Sequence, residues 1–212
     1  MDLRPDGSLL AQTALSMARI SQEEQSAEAA EIATLVQLTL NGDSTAFEQI
    51  ILRYETRVMA LAARFLGTRD DARDVSQEVF LRAFKYLHRV DVHKPFEPWL
   101  MRITVNACRD AARRRQRRRD TVVETHTPDP IDPSPDPYDG LARKQERLIL
   151  QNALDTLPEK ERLAILLRDV EGLSTAEFAS ILQSSETTVR SQVSRGRLRL
   201  KAAIDRATGG EP

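Results

Sequence analysis

Residues 172–200 of this 212-residue chain read GLSTAEFASILQSSETTVRSQVSRGRLRL, and this stretch decides the fold class. Ser174 and Glu177 have the spacing of a capping box, which predicts that a short helix begins there. A polar turn follows at 183–185, and apolar residues then recur at helical spacing through a longer helix. A short helix, a tight turn and a longer helix make up a helix-turn-helix.

The longer helix of this motif is amphipathic. Val189, Val193, Gly196 and Leu200 would face inward, whereas the outer face carries hydroxyl and arginine side chains with no outward acid after Glu186. Three-helix packing alone could produce the same spacing, so it is the outer face that favours DNA contact. The predicted DNA-facing residues are Ser185, Thr187, Thr188, Arg190, Ser191, Ser194, Arg195 and Arg197.

An acidic, proline-rich segment precedes the motif. Residues 120–140 contain six acids, no Lys or Arg, and five of the ten prolines in the chain. Such a composition excludes a helix or a central strand and predicts a flexible linker. We therefore divide the chain into a loosely ordered acidic leader (1–31), a helical domain (32–119), the linker (120–140), a helix-turn-helix domain (141–206) and a tail (207–212).

The overall composition agrees with an all-α protein of two small helical domains. The chain has 8 Gly and 5% aromatic residues, fewer than β-sandwiches and barrels need for their turns and strands. A single cysteine, Cys108, excludes an internal disulfide. No apolar run reaches the roughly 18 residues of a membrane span, and the N-terminus does not resemble a signal peptide. We expect a cytoplasmic protein without membrane insertion.

The first domain shows helical periodicity. Thr45 and Glu48 have capping-box spacing at the start of a helix that Gly67 would end, and a later helix runs from Pro98 into an arginine-rich end. Residues 102–119 carry eight arginines and one acid, a charge of +7. The positive charges in such a run repel one another, and this favours binding of a polyanion over a simple solvated face. Trp99 fits the apolar stripe, which favours a core position over stacking on a base.

Three acids, Asp70, Asp74 and Glu78, lie four residues apart and therefore in one row of a helix. A solvated helix face is one interpretation of this row, and a docking surface for a basic partner is the other. The chain has no phosphate-binding glycine loop, CxxC or HExxH, and its three histidines fall in predicted loops or the linker. We expect no catalytic residue, no metal site, no cofactor and no enzymatic activity.

Four stretches resemble, in order and spacing, the extracytoplasmic-function sigma factors of bacterial RNA polymerase, in the sigma-70 family. They are residues 42–48, residues 70–84, residues 95–103 with Asn106 and Arg109, and residues 157–197. The resemblance implies a sigma factor that binds core RNA polymerase and directs promoter recognition, promoter melting and transcription initiation. The alternative function is a stand-alone helix-turn-helix regulator, which would not need a polymerase-docking row.

The resemblance also implies roles for individual residues. The clamp helices of the largest polymerase subunit would be bound by Asp70, Asp71, Asp74, Gln77 and Glu78. The promoter −10 element would be bound by His93, Lys94, Phe96, Trp99, Arg102, Asn106, Arg109 and Arg113. The outer face of the helix-turn-helix would read the −35 element, the polymerase flap would be a further contact, and an anti-sigma factor is a candidate partner.

Three positions depart from the pattern of the family. Gln183 stands where glycine is common, and in a left-handed conformation it would cost roughly 1 kcal/mol relative to glycine. Gln192 and Ser194 also differ from the usual residues, so a −35 sequence cannot be transferred from the family.

Overall fold

The computed structural model describes residues 26–121 and 141–209, which fold entirely into helices and turns and contain no strand. The amino-terminal unit comprises helices α1 to α4, and the carboxy-terminal unit comprises α5 to α8. The bounds are α1, 26–40; α2, Ser44–Leu66; α3, Arg69–Tyr86; α4, Phe96–Thr121; α5, Leu141–Asp155; α6, Glu159–Ile165; α7, Thr175–Leu182; and α8, Glu186–Thr208. The all-α prediction with a helix-turn-helix at α7–α8 is confirmed.

In the amino-terminal unit, α2 packs against both α3 and α4. Val58 on α2, Val79 on α3 and Leu100 on α4 are completely buried where the three helices meet. The helix α2 begins two residues earlier than a Thr45 cap would place it. Its N-cap is Asp43, whose carboxylate accepts from the backbone N–H groups of Thr45 at 2.9 Å and Ala46 at 3.4 Å. The Thr45 capping box was therefore wrong, because the carboxylate before it already satisfies these free donors.

In the carboxy-terminal unit, the capping box of Ser174 and Glu177 is present and starts α7. Gln183 ends that helix in the left-handed conformation, with φ 52° and ψ 48°. The helices α6 and α8 approach closely at Gly196, where a Cβ atom would lie 3.0 Å from the carbonyl oxygen of Glu161. The tight turn and this glycine together fix where α8 lies.

The two units are packed together, and their buried side chains form one continuous cluster. The helix α4 contacts α7, and α2 contacts α5. The predicted linker lies outside the described residues from 122 onward, as do residues 1–25 of the leader and 210–212 of the tail. No helix within 26–121 or 141–209 is long and apolar enough to cross a membrane.

Three predicted boundaries need correction, and the first is the start of the linker, because α4 continues through Thr121. Residues 26–31 of the predicted leader are helical and belong to α1, and Arg53 on α2 binds Glu28 at 3.1 Å and Glu31 at 2.8 Å there. At the other end, α8 continues two residues into the predicted tail and stops at the left-handed Gly209.

Candidate nucleic-acid interface

The outer face of α8 is open to solvent. All eight residues predicted to face DNA, from Ser185 to Arg197, are exposed, whereas Val189, Val193 and Gly196 are buried. The side chains of Arg190, Arg195 and Arg197 are 67%, 58% and 60% exposed. The sequence pattern therefore places the polar face correctly, and its contact with DNA remains a prediction.

The arginines of this face bind acids of their own unit. Arg190 pairs with Glu186 at 2.7 Å, and Arg197 donates from Nε to Asp169 at 2.9 Å. The hydrogen bond with Asp169 raises the pKa of Arg197, which stays charged. Exposed ion pairs of this kind contribute only about 0.2–1 kcal/mol. Phosphate groups can therefore replace these acids at little cost.

Gln192 does not lie on the outer face. It is buried, and its Oε1 atom has no hydrogen-bond partner among the described residues. Close to it on the inner side, the buried Glu161 approaches Arg199 at 3.4 Å and Arg195 at 4.0 Å. Arg199 was missed by the sequence analysis, although its position four residues after Arg195 placed both side chains on the same row of the helix.

The residues predicted to bind the −10 element differ widely in exposure. His93, Lys94, Asn106 and Arg113 are exposed, whereas Trp99, Arg102 and Arg109 are half-buried. Phe96 is buried, with its ring centroid 5.6 Å from that of Tyr54 and 5.3 Å from that of Trp99. Phe96 therefore belongs to the core of this conformation and does not offer a surface to DNA.

Around the start of α4, burial dominates the electrostatics. Burial raises the pKa of the Glu97 carboxyl, and Arg57, at 2.7 Å, opposes that shift. The phenol of Tyr54 is also enclosed, and burial raises its pKa to about 12. The rings of Tyr54 and Trp99 both lie against that of Phe96, so burial extends around the start of α4.

Two arginines near the arginine-rich end of α4 meet acids of α3. Arg114 binds Glu78 at 3.1 Å, Arg115 approaches Asp71 at 3.5 Å, and Arg82 on α3 binds both Glu78 and Asp110. Acids on α3 therefore neutralise part of the predicted cationic run, and its contact with a polyanion stays a prediction. Arg113 makes no ion pair with the described residues and keeps its charge available.

The ion pairs with α4 divide the predicted docking residues of α3 into two groups. Asp71 and Glu78 turn toward α4, whereas Asp70, Asp74 and Gln77 stay exposed. A groove of about 720 Å³ lies next to Gln77, between α2 and α3. Its apolar lining consists of Phe47, Ile51, Met59, Phe80, Leu81 and Phe84.

Comparison with known proteins identifies the two units. Residues 50–118 match the family described as Sigma-70 region 2, and residues 147–200 match Sigma-70, region 4. The chain is 38% identical to the ECF RNA polymerase sigma factor SigE of Mycolicibacterium smegmatis, over 76% of this chain and 63% of that protein. It is 31% identical to the RNA polymerase sigma-H factor of Pseudomonas aeruginosa, over 82% of this chain and 91% of that protein.

A solved structure has the same fold. The sigma factor RpoE of Bartonella quintana, crystallised with the anti-sigma factor NepR, superposes with a TM-score of 0.64 and 25% identity, covering 75% of this chain and 96% of that one. Both halves of the chain thus match sigma-factor regions in the same order along the sequence. The chain belongs to the sigma-70 family, as an extracytoplasmic-function sigma factor that directs transcription initiation by bacterial RNA polymerase.

Proposed function

We propose that three helices of this sigma factor bind different partners. The helix α3 docks on core RNA polymerase, α4 binds the −10 element, and α8 reads the −35 element. The observation that carries the proposal is the solvent exposure of a polar or charged group on each helix, at positions that match the motifs of the family. The exposed positions are Asp74 on α3, Asn106 on α4 and Arg190 on α8.

For the −35 element, the residues near the start of α8 are the ones that would enter the major groove. Arg190 is long enough for a bidentate contact with guanine, and a good contact of that type contributes about 1–3 kcal/mol of discrimination. Arg195 and Arg197 lie farther along the helix and would bind phosphates. The short hydroxyl side chains of Thr187, Thr188 and Ser191 leave room for the backbone of the helix to approach the bases.

For the −10 element, α4 and the preceding loop supply separate polar groups. Asn106 and Arg113 lie on exposed positions of α4, and His93 and Lys94 precede it. Extruding a base from a duplex costs a few kcal/mol, and a pocket with nearby cations recovers that cost. Trp99 is half-buried, and its ring lies against that of Phe96.

For the polymerase, Asp70 and Asp74 are exposed acids of α3, whereas the charged residues that line the groove between α2 and α3 are Glu55, Arg69 and Arg73. Charged residues at the rim of an interface guide association, and a buried apolar centre supplies most of the affinity. Leu81 and Phe84, which line the groove, are 66% and 54% exposed. The exposed acids Asp70 and Asp74 would attract a basic partner such as the clamp helices, and the exposed apolar side chains of the groove would add contact area. A flap contact would fall on the carboxy-terminal unit.

The partners and location follow from the family. We infer that the protein acts in the cytoplasm, that it contributes no catalysis of its own, and that phosphodiester formation belongs to the polymerase. RpoE of Bartonella quintana binds the anti-sigma factor NepR. We infer that an anti-sigma factor binds this chain as well.

Run-off transcription with purified core polymerase on genomic fragments tests the proposal. The wild-type chain should give discrete transcripts. Binding to core polymerase is measured separately, by co-elution. The variant Asp70→Lys/Asp74→Lys should fail to co-elute, because it replaces attraction to basic clamp residues by repulsion. The control is Asp205→Lys, a charge reversal at the far end of α8, where the native carboxylate is partly exposed and pairs with Lys201. Undiminished co-elution of the α3 variant would remove the docking role.

Promoter melting needs its own readout. Asn106→Ala should reduce open-complex formation on a duplex promoter more than on a template with a pre-melted −10 bubble, since only the duplex requires strand separation. Equal losses on both templates would assign Asn106 to affinity or folding instead.

A further inference from the structure

The helix α8 has an acid beside each flank of its outer face. Residues two apart in a helix project on nearly opposite sides, so Arg197 and Arg199 lie on different flanks of α8. On one flank, Asp169 accepts from Arg197 Nε at 2.9 Å and from its terminal nitrogen Nη2. On the other flank, Glu161 of α6 lies 3.4 Å from Arg199 and 4.0 Å from Arg195. The two acids therefore act on separate arginines.

Glu161 is the more enclosed of the two acids. Its side chain is 9% exposed, compared with 28% for Asp169. A Cβ atom at Gly196 would lie 3.0 Å from the carbonyl oxygen of Glu161, so α6 and α8 are in close contact here. Among the described residues, Glu161 Oε2 has no hydrogen-bond partner. A buried carboxylate without a nearby cation is strongly unfavourable, and the cations that face this one are Arg195 and Arg199.

The two acids contact different parts of the guanidinium groups. Asp169 engages Nη2 of Arg197, a nitrogen that a phosphate would also need. Glu161 is approached by Nε of Arg195 and by Nε of Arg199, the guanidinium nitrogen nearest the helix in each side chain. Within 26–121 and 141–209, no hydrogen bond occupies the terminal nitrogens of Arg195 and Arg199. Glu161 thus leaves the outer ends of its arginines accessible, whereas Asp169 covers part of the outer end of Arg197.

Arg195 and Arg199 have the arrangement that a phosphate contact requires. A guanidinium carries five N–H donors in a planar fork, and it binds phosphate most strongly through two parallel hydrogen bonds. The two side chains are 58% and 57% exposed and lie one turn apart on the same side of α8. A carboxylate at Nε restricts the rotation of each fork, so less conformational entropy is lost when phosphate binds.

We propose that Glu161 is a positioning residue that orients Arg195 and Arg199 toward phosphate, and that Arg199 is a further contact of α8 with the DNA backbone. Asp169 has the opposite effect, because DNA must displace it from Arg197. The proposal rests on the assignment of α8 to the −35 element. It adds a residue of α6 to the groups that determine the affinity of α8 for DNA.

The test compares the sign of two substitutions. Glu161→Gln and Asp169→Asn each remove one negative charge beside α8 and keep the size of the side chain. Two acids that acted only through their charge would both repel DNA, and both substitutions would then strengthen binding. The proposal requires opposite signs, so that Glu161→Gln weakens binding and Asp169→Asn strengthens it. Circular dichroism and urea denaturation establish that each variant folds.

Affinity is measured by fluorescence anisotropy on the full chain at several salt concentrations. One probe is a duplex with the −35 element of a promoter mapped by run-off transcription, and the other is a scrambled duplex of the same length. We expect Glu161→Gln to bind both about fivefold more weakly, equal to about 1 kcal/mol, because phosphate contacts carry no sequence information. Asp169→Asn should bind both about twofold more tightly, since an exposed ion pair is only weakly stabilising.

A further substitution tests Arg199 directly and does not depend on the folding of Glu161→Gln. Arg199→Ala should lower the slope of log affinity against log salt by about 1, the value for one lost phosphate contact. The matched control is Arg206→Ala, which should keep the slope of wild type, because Arg206 is also exposed but lies two turns farther along the same side of α8. In Glu161→Gln/Arg199→Ala, the loss should be smaller than the sum of the two single losses, since both substitutions remove the same contact.

Tighter binding by a folded Glu161→Gln would overturn the positioning role, and additive losses in the double variant would mean that Glu161 does not act through Arg199. A slope equal to that of wild type in Arg199→Ala, or the same decrease in Arg206→Ala, would overturn the specific phosphate contact. Failure of the −35 assignment gives a different result: wild type then binds both duplexes equally, while Glu161→Gln still weakens both. A wild-type chain that binds neither duplex would reject the assignment and the positioning role together.

Discussion

The helices α4 and α8 both carry arginines at helical spacing, yet the fold uses them in different ways. On α8, Arg190, Arg195 and Arg197 are more than half exposed and bind acids of their own unit. On α4, Arg109 is 21% exposed and Arg115 is 29% exposed, and both reach other helices. The number of arginines on a helix therefore does not determine how many of them are accessible to a polyanion.

The difference arises from what surrounds each helix. The helix α8 packs against α5, α6 and α7, and Arg190, Arg195 and Arg197 lie on the side that these helices leave open to solvent. The helix α4 packs against α3, α2 and α7, and acids of α3 and α6 reach its arginines. An exposed cation contributes mainly to binding, whereas one held by a second helix contributes mainly to stability and relative position.

The largest effect should come from disturbing the close approach of α6 and α8 at Gly196. Gly196→Val should lower the free energy of unfolding of the carboxy-terminal unit by about 1–3 kcal/mol, because its Cβ would meet Glu161 O at 3.0 Å and Ile165 Cγ1 at 3.1 Å. Binding to a −35 duplex should fall with it, since α8 moves relative to α6. Chemical denaturation and anisotropy measure the two effects.

The control for this change is Ser194→Val, which introduces the same β-branched side chain two residues away at an exposed position of α8. Its cost should be limited to helix propensity, a few tenths of a kcal/mol. Equal destabilisation by both variants would mean that the close approach at Gly196 has no structural role.

The next effect separates base reading from phosphate binding on α8. Arg190→Ala should lose about 1–3 kcal/mol of discrimination at one −35 position. Arg197→Ala should weaken all promoters alike and lower the slope of log affinity against log salt by about 1. A −35 base-substitution series, repeated at several salt concentrations, measures both. Unchanged base preferences in Arg190→Ala would move base reading to Thr187, Thr188 or Ser191.

Two arginines on α4 allow a direct comparison between an arginine bonded to another helix and an exposed arginine without an ion pair. Arg115 donates to the carbonyl of Leu66 at 2.9 Å and approaches Asp71, whereas Arg113 is exposed and makes no ion pair with the described residues. Arg115→Ala should lower the free energy of unfolding by about 1 kcal/mol, the usual net value of such a hydrogen bond. Arg113→Ala should leave stability unchanged and weaken single-stranded −10 binding. The reverse pattern in denaturation and anisotropy would contradict the division.

The sequence predicted the parts of this molecule that depend on local patterns. The capping box at Ser174, the glycine that ends α2 and the outward face of α8 all follow from spacing within one element, and the structure has them. The −10 assignment of Phe96 and the +7 run on α4 depend on neighbours far along the chain. Tyr54 lies 42 residues from Phe96, and Glu78 lies 36 residues from Arg114. Periodicity cannot reveal such pairs, nor the packing of one unit against the other.

The smallest expected effect concerns the turn that sets the direction of α8. Gln183 has φ 52°, and its backbone N–H donates to the carbonyls of Ala179 and Ser180. Gln183→Gly should raise the free energy of unfolding by about 1 kcal/mol, since a left-handed conformation strains a residue with a Cβ but not glycine. The same exchange in a regular helix, Gln49→Gly on the exposed side of α2, should lower it by about 1 kcal/mol. Opposite signs in urea denaturation would establish that the turn holds Gln183 under strain. Because glycine can adopt the same turn, −35 base preferences should stay as in wild type, and a changed preference would mean that the turn residue itself, rather than the support of α6, orients the outer face of α8.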